Sequence, residues 1–299
     1  MEYQSLPDLK GLAALRAVVE LGGVEQAGQF LHIGQPAVTK RLRALEECYG
    51  TPLMQRKGRK LELTAAGDRV YAFARIALDY QSSLLEDLQN LISGQKDLRL
   101  ETTLSIGEYL LPDILLSFSD KYPDYRIHSR MGYSRRIQTR VATGLSDIAL
   151  IELEPQHPDL LVQKWLEDEL ILVAAPNHPF SKAEAISLNQ LSEQNFVLRE
   201  PQASSRIILD KALRDAGIIN LPISIEAGST DTIIEILSRG RHLSFLPQFT
   251  VRDAVKNGLL CRIQVEQLKI NTRLWIARNV SSISNPVAEA FIQILRNHS

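Results

Sequence analysis

Cysteine is nearly absent from this chain. Cys48 and Cys261 are the only two, far apart and in no metal-ligand spacing. That excludes a disulfide framework and a thiolate metal site, and two reduced, buried thiols are expected. Net charge is lacking too: 34 Lys and Arg against 35 Asp and Glu leave −1. Any affinity for a polyanion must therefore come from a local patch. No apolar run is long enough to span a membrane, and MEYQSLPDLK leads into no signal-peptide core, so a cytoplasmic protein with no membrane partner is expected. His128, His157, His178, His242 and His298 are scattered without triad or ligand spacing, and His32 lies apart from them. With no nucleophile, base or metal cluster in view, neither an enzyme nor a bound cofactor or metal is expected. What remains is an ordinary globular composition, 44% hydrophobic over 299 residues, enough for two or three structural units.

The first third holds the sharpest pattern. Leu12, Leu15, Val18 and Val19 recur at helical spacing until Gly22-Gly23 stops them. A short helix from Val24 to Leu31 follows, with Ala27 and Gly28 on a face that must approach a neighbour closely. Then comes HIGQPAVTKRLRALE, in which Val38, Leu42 and Leu45 form one apolar stripe. Gln35, Thr39, Lys40 and Arg43 fall on the other side. Gly34 stands at the N-cap and Pro36 in the first turn, where its missing N–H costs nothing. Beyond Gly50 and Pro52, alternation through Leu61 and Leu63 predicts a strand paired with Leu53-Met54. The tip of that hairpin would be the basic run Arg56-Lys57-Gly58-Arg59-Lys60. A charged helix alone is equally a solvated face. Combined with short helices and a basic wing, it is a footprint for double-stranded DNA. Lys40, Arg43, Arg56, Arg59 and Lys60 are the phosphate candidates, and Gln35, Pro36 and Thr39 lie where base edges are read.

These residues carry a resemblance. The segment from about Leu9 to Gly67 resembles the winged helix-turn-helix of the LysR-type transcriptional regulators, through GQPAVTKRLRALEE and LTAAG at that family's spacing. It departs at Gly23 and Gly34, where serine is usual, at Gly28, where alanine is usual, and at Met54, where phenylalanine is usual.

From Ala65 to Ile92 no proline occurs, and no glycine follows Gly67. Val70, Ala74, Ala77, Gln81, Leu84, Leu88 and Leu91 repeat at steps of four and three, flanked by Tyr71, Leu78, Leu85 and Ile92. The spacing predicts one long helix with a heptad seam, facing either a second chain or its own domain. The resemblance implies a dimer through this helix, with a tetramer and RNA polymerase as further expected partners. Ser93-Gly94-Gln95-Lys96 reads as a hinge.

The remaining residues alternate strand and helix, which predicts parallel sheet covered by helices. Two lobes, with crossings near Glu167–Leu170 and Leu268–Arg273, would enclose a hinged cleft. The region is similar to the family's effector domain, itself like the periplasmic solute-binding proteins, through IGEYLLP, GLSDIAL, DELILVAAPNHP, LREP, GST and LSFLP in order. The expected division is a DNA-binding domain over 1–65, a linker helix over 66–95 and an effector domain over 96–299. Within it, lobe I covers about 96–167 plus 270–299 and lobe II about 168–269. Thr103, Ser105, Ser134, Ser204, Ser205 and Thr230 lie on strand-to-helix turns, where each is also readable as an ordinary N-cap. Together, facing one cleft, they would make an anion site. Arg135, with Arg136 and Arg206, could add charge. REPQASSR lacks the glycines usual after Pro201, and His242 stands for a glycine in GRHLS, taking unusual backbone angles, filling space near the cleft entrance or touching a ligand. The expected function is a transcriptional regulator controlled by a small anionic effector. An enzyme or a ligand-binding protein on the same two-lobed fold is the alternative.

Overall fold

In the computed structural model, the described residues are 6–57, 60–93, 97–218, 221–280 and 285–298. They fall into two compact units, Met1–Ser93 and Gly94–Ser299.

In the first unit, α1 (Leu9–Leu21), α2 (Val24–Phe30) and α3 (Gln35–Tyr49) precede the wing strands β1 (Met54–Lys57) and β2 (Lys60–Leu63). Asp8 caps α1 by accepting from the Lys10 N–H, and Gly22 ends it in the left-handed region at φ 80°. Leu12, Leu15, Val18, Ala27, Val38, Leu42 and Leu45 close one core. Gly34 is the N-cap of α3, with no side-chain bond. The wing pairs antiparallel with Met54 opposite Leu63. Its Gly58-Arg59 tip lies outside the described residues.

Two motif residues explain how wing and helices are joined. Glu46 Oε1 accepts from the N–H groups of Leu53 and Met54, at 2.8 and 3.2 Å, tying the wing's root to the end of α3. Thr64 Oγ1 donates to the Pro52 carbonyl at 2.8 Å and accepts from the Gly67 N–H at 3.0 Å, capping the first turn of α4 (Ala65–Ser93). A Cβ on Gly67 would stand 2.0 Å from the Leu53 carbonyl oxygen, so only glycine admits this approach.

The seam on α4 divides, which the heptad pattern did not foretell. Ala74 is fully buried, and Val70, Tyr71, Ala77 and Leu78 pack beside it into the unit's own core. Arg16 of α1 binds Asp79 at 2.8 Å, and the Tyr71 hydroxyl donates to Glu20 at 3.2 Å. The apolar side chains left open are Phe73, Ile76, Tyr80, Leu84, Leu85 and Leu88. The side chains of Leu91 and Ile92, and the expected hinge residues Gly94-Gln95-Lys96, lie outside the described residues.

The second unit runs β3 (Asp97–Thr103), α5 (Leu104–Tyr109), α6 (Leu111–Lys121), β4 (Arg126–Gly132), α7 (Ser134–Ala142) and β5 (Ile148–Ile151). Next come β6 (Leu160–Ala174), α8 (Leu188–Leu191), β7 (Phe196–Arg199), α9 (Ser204–Asp215), β8 (Ile223–Ala227) and α10 (Thr230–Arg239). It ends with β9 (Ser244–Pro247), α11 (Gln248–Lys256), β10 (Cys261–Ile263), β11 (Ile270–Asn279) and α12 (Pro286–Asn297). The turn expected at Ser105-Ile106-Gly107 is the helix α5. The sheet is mixed, not parallel throughout. β3 pairs parallel with β4 and β5, but β11 lies antiparallel between β5 and β6. Strand–helix alternation cannot reveal that, because β6 follows β5 without an intervening helix.

The long strands β6 and β11 serve two cores. Trp165, Leu274 and Ile276 join Leu98, Phe118 and Phe291 on one side; Leu170, Leu172 and Ile270 join Phe196, Leu213 and Phe245 on the other. The chain therefore crosses twice between two lobes, each with its own core, and the cleft lies between them.

Candidate functional site

On the first unit, the face of α3 opposite Val38, Leu42 and Leu45 carries the recognition candidates. A groove of about 580 Å³ is lined by Gln35, Pro36, Thr39, Lys40, Arg43, Ala44 and Glu47. The structure thus brings together the candidates on α3. Gln35, Pro36, Lys40 and Arg43 are exposed, whereas Thr39 is half-buried and donates its hydroxyl to the Gln35 carbonyl at 3.1 Å. Arg56 stands exposed on β1. Arg59 and the Lys60 side chain lie outside the described residues. His32, in the tight turn before α3, is exposed and left-handed at φ 53°.

On the second unit, Thr103 is the N-cap of α5, but three of the other cleft hydroxyls sit one residue deeper than caps would. Ser134, Ser204 and Thr230 are each the first residue of their helices, and the cap positions are Tyr133, Ala203 and Ser229. In none of those three helices does the cap residue's side chain bond the first turn. Thr103, Ser105, Ser134, Ser204, Ser205 and Thr230 are all buried. Ser134 Oγ accepts from Gln138 at 3.1 Å.

The centre of this cluster is a residue absent from the sequence reading, Glu152, just past the end of β5. It is buried, and the hydroxyls of Thr103, Ser105 and Ser204 surround it from both lobes. Burial pushes its carboxyl above the usual range, against the opposing influence of those hydroxyls and of Arg199. The hydroxyls are near enough to favour charge but are not all aligned on it: Glu152 Oε1 and Thr103 Oγ1 make no hydrogen bond.

Arg199, at the end of β7, is the cation the sequence reading missed. It donates to Thr230 Oγ1 at 3.2 Å and to Glu200 at 2.9 Å. Burial raises the Glu200 carboxyl, but Arg199 and the Tyr133 hydroxyl outweigh it and hold the group below its ordinary range. Tyr133 donates to Glu200 at 3.0 Å, and Tyr109 donates to Asp231, so two tyrosines of the first lobe bond carboxylates of the second. Glu108 beside them is raised by burial and by Asp231. On β6, Asp168 is raised to about 6 by burial, although it accepts from the N–H groups of Glu169, Phe249 and Gln248.

The basic candidates fare differently. Arg135 and Arg136 are exposed, unlike the buried hydroxyls. Arg206 is committed to Asp210 at 2.9 Å and Glu226 at 3.2 Å. His242 is half-buried against Gly240, and its Nδ1 is unpartnered. The sequence holds a partial signal for the missed pair: Glu152 directly follows the apolar run IALI and Arg199 ends FVL, and a charge closing a buried strand demands a reason, though not one the sequence names. Among the described residues no three of His, Cys, Asp or Glu converge to hold a metal, and no helix is long and apolar enough to cross a membrane.

Comparison with known proteins matches this architecture at both ends. The model described as "Bacterial regulatory helix-turn-helix protein, lysR family" matches residues 9–68, and that described as "LysR substrate binding domain" matches 93–299. A probable RuBisCO transcriptional regulator of Cyanidium caldarium is 32% identical over 291 residues, 95% of this chain and 91% of that protein. The HTH-type transcriptional activator CmpR of Synechocystis sp. is 27% identical, over 94% of this chain and 92% of its own. Among solved structures, full-length CbnR complexed with its target DNA has the same fold, with a TM-score of 0.71 at 19% identity, covering 98% of this chain and 100% of that one. The Synechocystis PCC6803 CcmR regulatory domain in complex with 2-PG covers 68% of this chain and 96% of its own, with a TM-score of 0.62 at 21% identity.

Proposed function

Because the chain belongs to the LysR family of bacterial transcriptional regulators, not to a family of enzymes, we propose that it reads DNA with α3 and the wing under the control of a small anion bound between its lobes. The observation that carries this reading is the exposed Gln35–Arg43 face, apolar on its inner side and polar and basic on its outer side. Gln35 and Thr39 read base edges; Lys40, Arg43, Arg56, Arg59 and Lys60 hold phosphates. The open α4 row of Phe73, Ile76, Tyr80, Leu84 and Leu88 pairs with a second copy, matching protein two-fold to paired half-sites. Further pairing to a tetramer and contact with RNA polymerase complete the partners.

For the effector, the support is the set of buried hydroxyls beside helix N-termini without side-chain caps, which suits an oxyanion. CcmR was solved with 2-PG, so 2-phosphoglycolate is the first anion to try here. A ligand that favours closed lobes shifts the population of DNA-binding geometries only by its differential affinity for them. Titration calorimetry of the full chain tests this: the reading expects binding of 2-phosphoglycolate and none of a cationic amine of similar size. The reverse preference would contradict the anionic class.

A further inference from the structure

An anion site does not explain the presence of Glu152. Its carboxyl lies among the hydroxyls of Thr103, Ser105 and Ser204, the groups that an oxyanion would use. Oε1 of Glu152 and Oγ1 of Thr103 are both buried without a partner, so unused hydrogen-bonding capacity faces the same point from the same lobe. The charged groups around it are few. Arg199 approaches from β7 but is already bonded to Glu200 and Thr230, and Asp168 adds negative charge from β6. An ionised Glu152 would face a bound anion with no cation between them, among the described residues, that is not already bonded elsewhere. Two acids confined in one buried site share a proton.

We infer that Glu152 makes effector binding proton-linked: a small oxyanion occupies the Thr103, Ser105 and Ser204 hydroxyls while Glu152 is protonated and donates its O–H to it. This rests on the cleft reading above and deepens it, because it names the chemistry the site selects. The bound species is an oxyanion plus one proton held by the protein. Burial already favours the neutral carboxyl in the free protein. As pH rises and Glu152 ionises, the proton must be taken up again on binding, and affinity falls.

The test is calorimetric titration of the full chain and of Glu152→Gln with 2-phosphoglycolate, and with sulfate, whose charge is constant from pH 6 to 9. Glutamine keeps the shape and a permanent donor, so the ratio of wild-type to variant affinity cancels the ligand's own titration. The ratio is expected to fall by up to about tenfold per pH unit once Glu152 ionises, with about one proton more taken up by wild type. If Glu152→Gln fails to fold, Glu152→Met supplies an uncharged side chain whose affinity for sulfate should be lower than that of wild type and flat with pH. A ratio constant from pH 6 to 9, with binding intact, overturns the proton linkage and leaves the cleft reading standing. No binding of either anion by wild type or variant overturns both.

Discussion

Arg43 projects, exposed, from the outer side of α3 into the groove lined by Gln35 and Lys40. Replacing it with alanine should weaken binding to every DNA sequence and reduce the slope of log affinity against log salt by about 0.9, the share of one phosphate. An unchanged slope would remove Arg43 from the phosphate set. Gln35→Ala should instead relax discrimination at particular bases by roughly 1–3 kcal/mol. Competition with scrambled DNA reads that difference directly. His32 makes a separate residue-scale test, since it is exposed and left-handed. Glycine there should raise stability by about 1 kcal/mol, seen as a higher Tm, because the strain of a Cβ in that region disappears. Gly28 runs the other way. A Cβ would meet the Ile33 carbonyl oxygen at 2.8 Å, so Gly28→Ala should lower stability by roughly 1–3 kcal/mol although alanine is the better helix former. Here the sequence suggested closeness, through Ala27 and Gly28 on one face, but the identity of the neighbour depends on backbone geometry.

Among the elements, α4 shows how far periodicity reaches. The heptad spacing marks the helix well, yet it cannot say which partner each turn faces, because intramolecular and intermolecular packing want the same apolar residues. Val70 and Ala74 face the chain's own α1 and α3 core, and the open row is rotated to Phe73, Ile76, Tyr80, Leu84 and Leu88. Charged residues at Leu84 and Leu88 should therefore give monomers without unfolding the winged unit; sedimentation checks this, and a dimer persisting at low concentration would contradict it. The start of α11 offers a pH test. Asp168 binds the N–H groups of Gln248 and Phe249, yet burial holds it at about 6 rather than near 3.8. The folded state thus binds its proton more tightly than the unfolded chain does. Its contribution to stability is full below about pH 4 and declines as pH rises to about 6, by up to about 3 kcal/mol. A carboxyl carbon titration by NMR should place its midpoint near 6; a midpoint near 4 would refute the buried setting.

At the scale of the molecule, the lobes were legible because strands and helices alternate and because β6 and β11 each change core partway along. The sheet's mixed direction was not, since pairing between β5 and β11 joins residues such as Ile151 and Trp275, too far apart in sequence to leave a local pattern. The cleft hydroxyls were legible as helix beginnings. Glu152 and Arg199 were not read, because their significance comes from what both lobes place around them. Glu46 and Thr64 show the same limit at the DNA-binding end, where motif letters become hydrogen bonds only once the wing is folded. The central claim, DNA recognition under effector control, is tested most directly by recovering genomic fragments bound by the full chain, with and without 2-phosphoglycolate. The account predicts a small set of fragments sharing paired half-sites, whose occupancy or protected length changes with the anion. Recovered fragments indistinguishable from the input DNA would contradict it.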